Sequence, residues 1–175
     1  MFKKTLLAVG VFTLILIISG CGQKSLVENK IENELEKQFG GKAQVDVDNN
    51  AINIQTEQGQ IQVGGEISLP TDFPADIFIV EGKIVSAMKN VMGAGYQIII
   101  ETDKELEEVK SLYTAKLKEQ GWTIVSTMDF ATTSAISASK DSRQLSITIG
   151  SEDNQETSLM VILTLIDNNT TNNLQ

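Results

Sequence analysis

The chain reads as an α+β protein: an N-terminal helix and a small β meander, then an antiparallel β-sheet packed against one amphipathic helix. Three observations carry this reading. Apolar residues recur at helical spacing twice, over Val27 to Phe39 and over Leu106 to Leu117. Between and after those stretches the period falls to two, as in half-buried strands. Short turn sequences separate the two-period runs, which favours antiparallel neighbours.

Before the first helix, Lys3 and Lys4 introduce Leu6 to Ile18, 13 mostly apolar residues. That length suits the hydrophobic region of a secretory signal and falls short of the roughly 18 residues a spanning helix needs. The run closes on Ile18-Ser19-Gly20-Cys21. A branched aliphatic residue, two small residues and Cys resemble the lipobox of bacterial lipoproteins. The resemblance implies that residues 1–20 are removed as a signal peptide, and that Cys21 takes a diacylglyceryl thioether, becomes the new N-terminus and is acylated again, palmitate being a typical fatty acid. Cys21 is also the only Cys, whereas exported chains tend to carry even numbers for disulfides. Each buried methylene contributes about 0.8 kcal/mol, so two or three acyl chains form a durable anchor. The expected location is extracytoplasmic, on the cell membrane or an outer membrane, with membrane lipid as the first partner. Gly22 gives no retention signal of the kind Asp gives after a lipoprotein Cys.

Cleavage before Cys21 leaves 155 of the 175 residues, and the loss of Lys3 and Lys4 moves the net charge from −9 to −11. That length suits one or two small domains. An acidic surface is repelled by nucleic acid phosphates and anionic headgroups, so no nucleic acid partner is expected. His is absent, which removes Ser-His-Asp and Cys-His arrangements and most zinc sites. Carboxylate, Lys or Tyr chemistry stays open.

Ser25 with Glu28 forms a capping-box pattern, Val27, Ile31, Leu35 and Phe39 follow at helical spacing, and Gly40-Gly41 ends the helix. Its other face is charged, leaving a narrow stripe to bury on its own domain or on a partner helix. Residues 21–41 thus hold the lipidated N-terminus and a helix, with little flexible tether between them. Over residues 42–68, Val45 and Val47, Ile52 and Ile54, and Ile61 and Val63 alternate with polar residues, with turns at Asn49-Asn50 and Gln58-Gly59. Asp46, Asp48, Asn50 and Glu57 match positions 1, 3, 5 and 12 of an EF-hand loop and form a candidate metal set. Position 6 needs Gly and has Ala51, and the flanks read as strands, so a polar strand face beside an Asx-rich turn is the preferred reading. No cofactor is expected.

Leu69-Pro70 to Phe73-Pro74 marks the start of a domain over residues 69–166. Lys83 to Met88 and Tyr96 to Thr102 read as strands joined through Gly93-Ala94-Gly95, which lacks the third glycine and the following helix of a dinucleotide loop. Thr102-Asp103-Lys104-Glu105 is a second capping box, and Leu106, Val109, Leu112, Tyr113 and Leu117 give the helix one apolar face. Gly121 supplies a left-handed cap, and Trp122 is placed in the core. Thr123 to Phe130, Ser134 to Ser139, Leu145 to Ile149 and Ser158 to Ile166 follow as strands. Ser137-Ala138-Ser139-Lys140 matches an S-x-x-K pattern without its S-x-N and K-T-G companions. Glu152, Asp153 and Glu156 read as a solvated turn, and residues 167–175 as a disordered tail.

From Leu69 onward the sequence resembles an uncharacterised extracytoplasmic domain of bacterial lipoproteins and secreted proteins. The resemblance rests on Leu69-Pro70, Phe73-Pro74-Ala75-Asp76-Ile77, Gly82-Lys83-Ile84-Val85, and Tyr113 followed by Leu117 and Gly121-Trp122. It implies a shared fold and brings no catalytic residues. Two functional classes follow: a non-enzymatic binding or structural module with an envelope protein partner, favoured because each polar group has a local explanation, and a small envelope enzyme using carboxylate, Lys or Tyr chemistry.

Overall fold

A computed structural model describes residues 24–39, 42–48, 51–57, 59–65, 67–89, 95–151 and 158–168. Helix α1 is Lys24–Phe39 and helix α2 is Leu106–Glu119. The strands are β1 (Ala43–Asp48), β2 (Ala51–Thr56), β3 (Gly59–Gly64), β4 (Lys83–Lys89), β5 (Gly95–Thr102), β6 (Thr123–Asp129), β7 (Thr133–Lys140), β8 (Arg143–Gly150) and β9 (Leu159–Asp167). All nine form one antiparallel sheet in the order β1-β2-β3-β4-β5-β9-β8-β7-β6.

This corrects the expected architecture of a small meander followed by a separate sheet on one helix. Gln60 to Val63 of β3 pair with Lys89 to Ser86 of β4, which joins the two parts edge to edge. Alternation locates a strand, but its second neighbour is a non-local choice that local pattern does not carry.

The register also shows why each half reads as a normal half-buried sheet. Residues opposite one another in an antiparallel pair point to the same face. One such row runs Val45, Ile54, Ile61, Met88, Gln97, Thr164, Ser146, Ser137, Ser126. The row beside it, on the opposite face, runs Asp46, Asn53, Gln62, Ala87, Ile98, Leu163, Ile147, Ile136, Thr127. The first is apolar from β1 to β4, the second from β4 to β7, so the buried face changes side halfway across the sheet. Each half has its own cover. Helix α1 packs Ile31 and Leu35 against Ala43, Val45, Val47 and Ile54 on the first face. Helix α2 lies against β6, β7 and β8 on the other.

Strands β5 and β6 lie four places apart in an alternating sheet, so they run in the same direction, and α2 carries the chain back between them. Val109, Tyr113 and Leu117 of α2 are fully buried, with Leu112 partly so. Gly121 has φ +81°, the left-handed value that glycine adopts without strain. Its N–H donates to Lys118 O at 3.1 Å and the Trp122 N–H to Leu117 O at 2.8 Å, the paired bonds of a Schellman cap. The capping box expected at Ser25 lies outside the described side chains, and the one expected at Thr102 does not form. Helix α2 starts after Glu105, which makes no side-chain cap bond, while Thr102 Oγ1 donates to Glu81 O at 2.8 Å.

Residues 67–82, between β3 and β4, form a strap on the α2 side of the sheet. Ile77 and Val80 are buried in the same cluster as Tyr113, and Phe78 meets the Tyr113 ring edge-on at 5.4 Å. The Val80 N–H donates to Tyr113 Oη at 3.3 Å. Sheet, strap and α2 thus close over one continuous core.

Candidate functional site

The two edges of the sheet are treated in opposite ways. A bare edge presents unpaired N–H and C=O groups to any passing strand. At β1 the outward N–H groups are engaged by α1. The N–H groups of Val47, Val45 and Ala43 donate to the carboxylates of Glu28, Glu32 and Glu36 at 3.3, 2.9 and 3.4 Å. The match is metric: four helical residues rise about 6 Å, and two strand residues about 6.6 Å, so a Glu every fourth position meets every second strand amide. Sequence pattern placed these residues on a solvated face. The expected outcome of Glu32→Ala is a loss of about 1 kcal/mol and faster amide exchange at Val45; unchanged Val45 protection would contradict the pairing.

At the other edge, Val125, Met128 and Phe130 are 65%, 52% and 67% exposed. Among the described residues strand β6 pairs only with β7, with a register shift between Ile124 and Ser126. Phe130 N–H donates to Thr133 O at 2.8 Å. By alternation, the backbone groups of Thr127 and Asp129 therefore face away from the sheet.

A dense polar cluster holds the strap to the sheet. Arg143 Nη1 and Nη2 donate to Asp76 Oδ1 and Oδ2 at 2.8 and 2.6 Å, and Lys140 Nζ donates to Asp76 Oδ2 at 2.7 Å. Lys140 also donates to Gln120 O, and Trp122 Nε1 donates to Asp76 O at 3.0 Å. The Arg143 guanidinium lies 5.0 Å from the Trp122 ring centroid. The Arg143 hydrogen bonds hold the Asp76 carboxyl well below the usual range, with Lys140 adding to the effect. At the strap's other end, Lys89 pairs with Asp72, and Tyr96 Oη donates to Asp72 O at 3.0 Å.

An open cavity of about 610 Å³ lies where the strap meets the start of α2, lined by Glu81, Lys83, Glu101, Thr102, Lys104 and Glu108 among others. Several of its polar groups are paired: Lys104 Nζ with Glu108 at 2.7 Å, and Glu101 with Ser158 Oγ at 3.2 Å. A general acid or base works best with a pKa near neutrality. The resolved shifts run the other way. Burial raises Tyr113 and pushes Tyr96 up to about 12. Bonds to carboxylates raise Lys104 and Lys110. The Lys89 bond lowers Asp72, and the Ser134 bond lowers Asp129.

The sequence-derived site residues separate in space. Cys21 and the apolar leader lie outside the described residues, as do Asn50, Gly93, Ala94, Glu152, Asp153 and Glu156. Asp46 and Asp48 belong to β1, where Asp46 faces Asn53, and Glu57 sits in the turn after β2. Among the described residues no group of three or more acidic side chains is placed to hold a metal ion. Ser137 and Lys140 of the S-x-x-K match occupy opposite faces of β7, and Lys140 is committed to Asp76. Gly95 opens β5, where a Cβ would stand 1.8 Å from Leu165 O; close strand approach accounts for this glycine. Trp122 is buried, as its sequence position implied.

A family model described as START domain-like matches residues 84–158, from β4 through β8. The chain is thus similar to that family over under half its length, within the stretch where the sequence resemblance was seen. No curated protein and no solved structure matches the chain.

Proposed function

We propose that this protein is an exported lipoprotein, anchored through acylated Cys21, whose folded part is a non-enzymatic binding or structural module of the cell envelope. The observation that carries the reading is the adjacency of anchor and fold. Cys21 stands three residues before α1, and α1 is fastened along the β1 edge by Glu28, Glu32, Glu36 and the Leu35 contact. A chain attached this way is held close to its membrane. The shifts of titrating groups away from neutrality add support for binding over catalysis.

Fatty-acid labelling in bacterial cells is expected to mark the wild-type protein and to be abolished by Cys21→Ser, with the variant released or held as precursor. Persistent labelling of the variant contradicts the anchor. In-cell crosslinking that captures one stoichiometric protein partner supports the module. Turnover of an envelope substrate that is lost with Glu101→Gln, in the absence of such a partner, overturns it in favour of an enzyme.

A further inference from the structure

We infer that two copies of this protein pair through their β6 edges, giving a membrane-bound dimer with one continuous sheet. The inference rests on the anchored reading, because the pairing surface is small.

The two edges of the sheet are asymmetric. Strand β1 has its outward amides engaged by the α1 carboxylates, whereas β6 leaves the outward groups of Thr127 and Asp129 to solvent beside exposed Met128 and Phe130. Among the described residues β6 is the edge whose outward N–H groups are left to solvent, and one such edge per chain allows a self-complementary contact that closes at two instead of growing into a filament.

The register of β6 is self-complementary. Antiparallel pairing of residues 126–130 about Met128 sets Thr127 opposite the partner's Asp129, so that the outward backbone groups bond in pairs. Met128 then faces its own counterpart, and Phe130 faces Ser126. All five positions lie beyond the register shift in β6. No like charges fall opposite one another, and Asp129 is already paired with Lys110 Nζ at 3.1 Å and Ser134 Oγ at 2.7 Å. The Met128 and Phe130 side chains of both copies come together in one apolar cluster, since diagonal cross-strand neighbours are within reach of aromatic and long side chains.

The geometry of the dimer agrees with a single membrane. A two-fold axis through such a junction stands perpendicular to the sheet and leaves corresponding faces on the same side. Met128 shares its face, through Ala135, Thr148, Ile162, Ile99, Ser86, Val63 and Ile52, with Val47. That is the face on which α1 packs, so the α1 helices of both copies lie on the same side of the dimer. Five residue pairs bury less than the roughly 1,200 Å² of a stable soluble complex. Confinement to one bilayer supplies the high effective concentration that the contact needs.

The test is disulfide trapping of the full-length chain in bacterial membranes. Directly opposed residues of a non-hydrogen-bonded pair bring Cβ atoms within about 4.5–5.5 Å, close to disulfide reach. Under mild oxidation Met128→Cys is expected to give a reducible species of twice the mass. Ser137→Cys, one strand further in on the same face, is expected to stay monomeric. Adding Thr127→Pro, which removes an outward N–H and leaves the β7 ladder intact, should abolish trapping at position 128 while the thermal transition is retained. A monomeric Met128→Cys protein, equal trapping at position 137, or trapping that survives Thr127→Pro would each overturn the dimer. The wild-type chain separates this outcome from failure of the anchor. A disulfide dimer without any substitution shows that Cys21 is a free thiol, whereas lipid-labelled protein that does not trap at position 128 refutes the dimer alone.

Discussion

Leu117→Ala is expected to lower stability by about 2–5 kcal/mol, the range for large-to-small changes in a packed core. Leu117 is 1% exposed and belongs to the cluster that joins α2 to the sheet and the strap. Its truncation removes transfer free energy and leaves a cavity, because Tyr113, Trp122 and Ile136 around the same core are themselves buried and held. The Schellman cap should survive, since it uses only backbone atoms of residue 117. A urea series should therefore show a lower midpoint with an unchanged slope. An unchanged midpoint would mean that another face of α2 meets the sheet.

Asp76→Asn is expected to cost about 3 kcal/mol at neutral pH, as removal of a partner from a charged, largely shielded network does. The substitution keeps the size of the side chain and leaves Arg143 and Lys140 without their common carboxylate. The sign of the pH effect follows from the depressed carboxyl. In the unfolded chain Asp76 titrates near its ordinary value of 3.8, and in the folded chain well below it. Its contribution is complete above the unfolded value and is lost as pH falls towards the folded one. The gap between wild type and Asp76→Asn should thus be constant from pH 7 to about pH 5 and narrow by pH 3. Equal stabilities at pH 7, or a gap that widens in acid, would contradict the clamp.

Much of the local structure was legible in the sequence because it depends on near neighbours. The runs from Lys83 to Met88 and Leu145 to Ile149, the apolar face of α2, the cap at Gly121 and the burial of Trp122 all follow from periodicity or from one residue's conformational freedom. What stayed hidden depends on distant partners. Nothing near Ile61 says that Met88 will lie beside it, so the continuous sheet and its change of buried face were missed. Asp76 meets residues 64 and 67 positions away, and only the fold reveals the ion pairs. Glu28, Glu32 and Glu36 have the spacing of an exposed helix face, and the β1 amides that engage them appear only once the strand is placed. Val125, Met128 and Phe130 read as ordinary strand residues until the topology leaves β6 at an edge.

The most direct test of the anchored reading is the intact mass of the protein extracted from bacterial membranes. The account predicts a chain of residues 21–175 that carries a diacylglyceryl group on Cys21 and one further acyl chain where N-acylation occurs. An unmodified chain, or one that retains residues 1–20, would contradict it.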